Sequence, residues 1–166
     1  MKQSAVKSRS LELIRLLGLE PHPEGGYYRR IHRSDSFVQR REDRAERRAL
    51  TSIFYLLPEG SISRWHRVLA DEAWHHYEGE GLELLSFAPD GSSPSSQTLG
   101  PLQEGSQPAY VVPAGWWQAA RPLGGYALVG CTVGPGFEFE DFKLLADLPE
   151  DDQPKTPKIA DFALFL

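Results

Sequence analysis

The sequence predicts an all-β domain, an antiparallel sandwich or barrel preceded by one short N-terminal helix, and three observations carry that prediction. After Pro23, short runs rich in aromatic and β-branched residues alternate with Gly, Pro, Asp and Ser, the pattern of strands separated by turns. No helical stretch of 10 to 15 residues lies between those runs, so parallel strands joined by crossover helices are excluded. The chain has 166 residues, about one domain's worth, enough to bury a core without covalent staples.

Taken in order, Leu13, Ile14 and Leu17 recur at helical spacing, which predicts a helix over about 10–18 with Ser10 as its N-cap and Gly18 as its C-cap. Strands are expected near 26–32, 50–57, 61–68, 72–77, 82–88, 109–112, 116–121, 126–133 and 137–144. Turn chemistry separates them at "PEG", "LADE", "GEG", "PDGSSPSS", "PAG", "LGG" and "GPG". The charged run "QRREDRAERR" reads as a solvated insertion with a turn or two of exposed helix, or as a lid lending Arg to an anionic ligand. Residues 1–146 are taken as a single domain and 147–166 as a polar, proline-bearing linker whose apolar end, "IADFALFL", docks on the domain or on a partner.

Composition narrows the function classes. A net charge of −5 argues against broad attraction to nucleic acid, leaving small molecules and proteins as expected partners. A single cysteine, Cys131, cannot form an intramolecular disulfide or a cysteine-rich zinc site, and in its apolar strand it reads as a small buried hydrophobe. No run approaches about 18 consecutive apolar residues and no leader pattern opens the chain, so the expectation is a cytoplasmic protein with no membrane segment.

The chemistry concentrates in "GSISRWHRVLADEAWHHYEG", residues 60–79. Gly60, His66, Val68, Glu72 and Gly79 stand at the spacing G-x5-H-x-H-x3-E-x6-G, the first signature of the cupin superfamily, with Val68 in place of the second His. The second signature, G-x5-P-x-G-x2-H-x3-N, resembles "VVPAGWWQAARP": Pro113 and Gly115 fit, Gln118 stands where its His belongs, and Pro122 replaces its Asn. The stretches "LGLEPHPEGGYYRRIHRS", "TSIFYLLPEGSISRWHR", "DEAWHHYEGEGLELL", "VVPAGWWQAAR" and "GPGFEFEDFKL" together resemble the small single-domain cupins long catalogued as a domain of unknown function. That resemblance implies a double-stranded β-helix, the jelly-roll barrel, paired as a homodimer, with no settled activity. More distantly, the chain is similar to sugar-nucleotide epimerase-type cupins.

Two readings of the site follow. In metal-binding cupins two His, the Glu and the second-signature His converge on one ion; Val68 has no donor atom and Gln118 offers only an amide oxygen. Residues two apart on a strand share a face, so Glu72, Trp74 and His76 do too, and His66, Glu72 and His76 form the candidate set for a divalent metal (Fe, Mn, Ni or Zn). A bulge would present His75 instead. The metal-free reading makes His66 a general acid/base oriented by Glu72, acting on a small polar metabolite such as a sugar or nucleotide derivative, as an isomerase or epimerase. A pocket that binds without catalysis is the third reading.

Candidate ligand contacts are Arg64, Trp74, His75, His76, Gln118, Glu24, Tyr28, Arg29 and, from the family resemblance, Asp141. Arg64, Arg29, Tyr28 and Gln118 are the donors considered for a developing enolate oxygen. Trp116 and Trp117 are adjacent, face opposite ways in a regular strand and cannot both line one pocket. His22 and His32 are expected at the surface or in turns.

Overall fold

A computed structural model describes residues 2–155 and 157–166, with side chains from residue 9 onward. The chain opens with helix α1 (Lys2–Leu17), which begins a full turn and more before the expected 10–18. Ser10 is therefore inside the helix and buried, not at its N-cap. The C-terminal end follows the expected form: Gly18 has φ +60° and the Leu19 N–H donates to the Ile14 carbonyl at 2.9 Å, the six-to-one bond of a Schellman cap.

Thirteen strands follow among the described residues: β1 (Glu20–Pro21), β2 (Tyr27–Arg33), β3 (Phe37–Gln39), β4 (Glu46–Arg48), β5 (Thr51–Pro58), β6 (Ser63–Arg67), β7 (Asp71–Gly79), β8 (Leu82–Phe87), β9 (Ser95–Leu99), β10 (Ala109–Val112), β11 (Trp117–Pro122), β12 (Tyr126–Gly134) and β13 (Lys143–Leu144). They form a six-stranded sheet in the order β1-β2-β5-β12-β7-β10, a five-stranded sheet in the order β13-β6-β11-β8-β9, and the separate hairpin β3-β4. Every pairing between these strands is antiparallel, as a jelly roll requires.

Strand alternation sorts the side chains into an interior and two outer layers. Tyr55, Leu57, Trp74, Leu82, Leu84, Leu99 and Val129 fill the interior. Leu13 and Leu19 pack on Leu56 and Leu128, so α1 covers the outward face of the six-stranded sheet. Trp65, Leu85, Phe87, Trp117 and Ala119 point the other way from the five-stranded sheet. The tail supplies their cover: Phe165 is fully buried there, Phe162 stacks on Trp65 with ring centroids 5.2 Å apart, and the Trp65 indole N–H donates to the Phe162 carbonyl at 3.0 Å.

Three segments depart from the sequence reading. The Arg-rich run folds as the β3-β4 hairpin rather than as helix, its strands paired Phe37 to Arg48 with the guanidinium 4.0 Å from the Phe37 ring centroid. The expected strand over 137–144 is replaced by a 3₁₀ turn at Phe139–Asp141 before the two-residue β13, because Phe137, Phe139 and Phe142 gather on one side against a cavity instead of alternating. The "PDGSSPSS" break is shorter than expected, since β9 starts at Ser95 and pairs with β8 through hydroxyl-bearing residues. No helix is long and apolar enough to cross a membrane among the described residues.

Candidate active site

The interior opens at one end into a cavity of about 170 Å³. Inward positions of the six-stranded sheet line it in register: Tyr28 and Arg30 of β2, Thr51, Ile53 and Tyr55 of β5, Cys131 and Val133 of β12, and Glu72 of β7. The facing sheet contributes His66, with Val68 just beyond β6. Phe137, Phe139 and Phe142 form an aromatic wall, and the loop between β1 and β2 adds His22 and Glu24.

That loop enters the barrel because two glycines let it. A side chain at Gly25, where φ is +114°, would put its Cβ 2.1 Å from the Ile62 carbonyl oxygen. The close approach lets the Arg64 N–H donate to the Glu24 carbonyl at 2.8 Å, which docks the loop on β6 and delivers the Glu24 side chain into the interior. There Glu24 accepts from the Ser63 hydroxyl at 2.8 Å and its other oxygen, Oε2, lies 3.2 Å from His66 Nε2.

His66 is held at both nitrogens. Its Nδ1 lies 2.8 Å from the Arg64 carbonyl, which only accepts, so Nδ1 carries a proton. Nε2 then faces a carboxylate, and a single proton shared between Nε2 and Oε2 satisfies both. His66 and Glu24 are 2% and 6% exposed, so this shared proton sits in a dry site.

Glu72 is placed differently. It accepts from Gln118 Nε2 at 2.5 Å, and Gln118 Oε1 accepts from the Trp74 indole N–H at 3.0 Å. Burial pushes its carboxyl up to about 7, opposed by the attraction of His66 and supported by the repulsion of Glu24. Burial and the neighbouring Glu72 push the Cys131 thiol well above its ordinary range, leaving it a proton-bearing wall rather than a nucleophile.

Of the residues singled out from sequence, His66, Glu72, Glu24 and Tyr28 line this cavity. Glu24, not Glu72, is the carboxylate against His66. Gln118 and Trp74 stand behind Glu72 as its hydrogen-bonded support, fully buried. Arg64 contributes its carbonyl to His66 while its guanidinium turns outward to the Pro23 carbonyl at 2.7 Å. Arg29 lies outside near Gly18, and His75 pairs with Gly130 on the outward face of β7. Asp141 is buried between Arg40 and Arg47, at 3.0 and 2.7 Å, and fixes the turn that carries Phe139 and Phe142 without lining the cavity itself.

His22, expected at the surface or in a turn, does lie in the β1–β2 turn, but its side chain is 7% exposed and lines the cavity, a role not expected from sequence. The sequence reading also missed Tyr55, the phenylalanine wall and the cavity position of Cys131, which is buried as expected. The signal available for His22 was its spacing: a His two residues before a Glu that itself precedes paired glycines.

Residues 11–145 match the family model described as the Cupin superfamily (DUF985). The chain is a cupin. Among solved structures it is similar to a hypothetical protein from Leishmania major, 32% identical over 80% of this chain and 84% of that one with a TM-score of 0.74. A protein from Shewanella oneidensis is 36% identical over 80% and 82% of the two chains, with a TM-score of 0.72. Oxalate decarboxylase from Bacillus subtilis, 19% identical over 82% of this chain and 33% of that one, shares the fold at a TM-score of 0.51. No curated protein matches the sequence.

The metal that many cupins hold does not fit this one. Val68 lines the cavity without a donor atom, and Gln118 is spent on Glu72 and Trp74. His76 does not restore the set: four residues along a strand from Glu72 is about 13 Å, and its Nε2 lies 3.1 Å from the Gly79 carbonyl. The β7 bulge falls opposite the step from Leu128 to Val129, after both histidines, so it does not bring His75 inward. Among the described residues no three His, Cys, Asp or Glu side chains are arranged to hold an ion.

Proposed function

We propose that this cupin binds a small polar metabolite with a carbonyl group, of the size of a sugar or smaller, and moves a proton on it without a metal, as an isomerase or epimerase does. The observation that carries the reading is the His66–Glu24 contact of 3.2 Å inside the cavity, with the second His66 nitrogen committed to the Arg64 carbonyl. A proton shared by that pair is available to a ligand, and the pair is buried where no bulk water competes for it.

Glu72 supplies the second proton station. It projects from the six-stranded sheet, His66 from the five-stranded one, so the two act from facing walls. With its carboxyl near 7, Glu72 takes a proton from carbon at neutral pH while the His66–Glu24 pair gives one; in the reverse direction the roles exchange. The aromatic wall of Phe137, Phe139 and Phe142 packs on the apolar face of the ligand and keeps water out.

Incubation with keto- and aldo-sugars in D2O, followed by NMR, tests this. Deuterium is expected to enter at the carbon beside the carbonyl, with the rate falling about 10²- to 10⁴-fold in His66→Ala and Glu24→Gln. Exchange that persists in His66→Ala, or near-stoichiometric metal in protein purified without a metal-affinity column and lost in that variant, defeats the metal-free assignment.

A further inference from the structure

Proton removal beside a carbonyl needs a donor for the oxygen that becomes negative. Of the donors considered from sequence, Arg64, Arg29 and Gln118 are directed elsewhere, and the Tyr28 hydroxyl is engaged by Glu20. Arg30 is exposed at the mouth, and among the described residues no other Arg or Lys lines the cavity.

His22 has the properties required. His22 Nδ1 has two neighbours, the Glu24 backbone N–H, which only donates, at 3.3 Å and Glu24 Oε2 at 3.5 Å; the N–H contact is the shorter and is a hydrogen bond, which makes Nδ1 the acceptor and puts the proton on Nε2. This is the opposite tautomer from His66, whose Nδ1 carries the proton. The His22 ring is fixed by an edge-on contact with Tyr28 at 4.6 Å and by Tyr55, Phe139 and Phe142 at 6.0 to 6.5 Å between centroids. Its Nε2–H donates to no group among the described residues, although the side chain is 93% enclosed and borders the cavity. Burial also lowers its proton affinity, which keeps the ring neutral.

We propose that His22 is a catalytic residue that, as a neutral imidazole, donates its Nε2–H to the carbonyl oxygen of the ligand and holds that oxygen as it becomes an enolate. The inference rests on the proton-transfer reading above and specifies its substrate class: an aldehyde or ketone with a hydrogen on the adjacent carbon and no negative charge at the reacting end, since Glu24 and Glu72 would repel one. In the step, Glu72 takes the proton from carbon, the C–H pair becomes the new C=C bond, and the carbonyl π pair moves to oxygen at His22. Collapse of the enolate with proton return from His66–Glu24 to carbon restores a carbonyl; Glu72 then releases its proton to water and the His66–Glu24 pair takes one up from water, which resets both.

The test uses the full chain with hydroxyacetone, the smallest ketone carrying both a hydroxyl and exchangeable C–H hydrogens. ¹⁵N NMR of histidine-labelled protein is expected to show His22 protonated at Nε2 and bare at Nδ1 across pH 6–8, with the Nε2 resonance moving when hydroxyacetone is added. Deuterium exchange is expected to fall about 10²- to 10³-fold in His22→Ala and to recover in part in His22→Gln, whose amide also donates, while hydroxyacetone affinity changes less than threefold. A wild-type His22 that is charged or protonated at Nδ1 overturns the proposal without any variant having to fold, as does undiminished exchange in His22→Ala. Absence of exchange in the wild-type protein with His22 in the expected tautomer instead overturns the proton-transfer reading, and the role of His22 with it.

Discussion

The two faces of the five-stranded sheet are made by the same strands and do opposite things. On β6, Trp65 points outward and His66 inward; on β11, Trp117 points outward and Gln118 inward. The outer face is a continuous aromatic layer sealed by Phe162 and Phe165, and its burial stabilises the fold. The inner face at the same positions holds groups that resist burial, with Glu72 and Glu24 brought in from the other sheet and its loop. A sheet can carry such an interior because its backbone is anchored from the other side.

Replacing Trp65 by Ala should have the largest effect, a loss of about 3–5 kcal/mol. It removes the ring packed on Phe87, Phe162 and Phe165 and releases the tail, and a denaturant titration checks it. A Trp65→Ala protein as stable as wild type would break the division between the faces.

Glu72→Gln should act in the opposite sense. Because burial raises the carboxyl from 4.5 to about 7, its contribution favours the fold below about pH 4.5 and is lost as pH rises through 7. The neutral amide escapes that loss, so the variant should be more stable than wild type by about 3 kcal/mol at pH 8 and equal near pH 4, read by thermal melts across pH. Equal stability at both values would remove Glu72 from the groups whose burial is costly.

The smallest effect is expected at His75, which the strand register turns outward opposite Gly130. His75→Ala should shift stability by less than about 0.5 kcal/mol and leave deuterium exchange unchanged. Loss of exchange would show that the outward face of β7 takes part in the site.

The sequence was most legible where apolar pattern and turn chemistry agreed. Residues 126–133 are a nearly continuous apolar run bounded by glycines and form the central strand β12, and Ala109–Val112 is the strand expected. Legibility failed where tertiary contact overrode local pattern. The alternation of Phe137, Phe139 and Asp141 mimics a strand, yet three phenylalanines gathering at a cavity and Asp141 held by Arg40 and Arg47 fold it into a turn. The Arg-rich run has helix-like charge spacing, and Arg40 does pair locally with Asp43, but Arg40 and Arg47 also converge on Asp141, about a hundred residues away. In the site, signature spacing located His66 and Glu72, whereas the pairing of His66 with Glu24 depends on a loop crossing to β6 through Gly25, a contact no local spacing encodes. The cavity role of His22 was missed for the same reason.

The chain from the Trp74 indole through Gln118 to Glu72 makes one of the four tryptophans an optical probe of the cavity. A proton arriving at Glu72 changes the charge two hydrogen bonds from the indole N–H, while Trp65 and Trp117 sit in the outer aromatic layer and Trp116, partly buried against the interior cluster, has no hydrogen bond to Glu72 or Gln118 among the described residues. Emission from Trp74 therefore converts the protonation state of the site into a colour change, readable in the native chain without a dye or a known substrate.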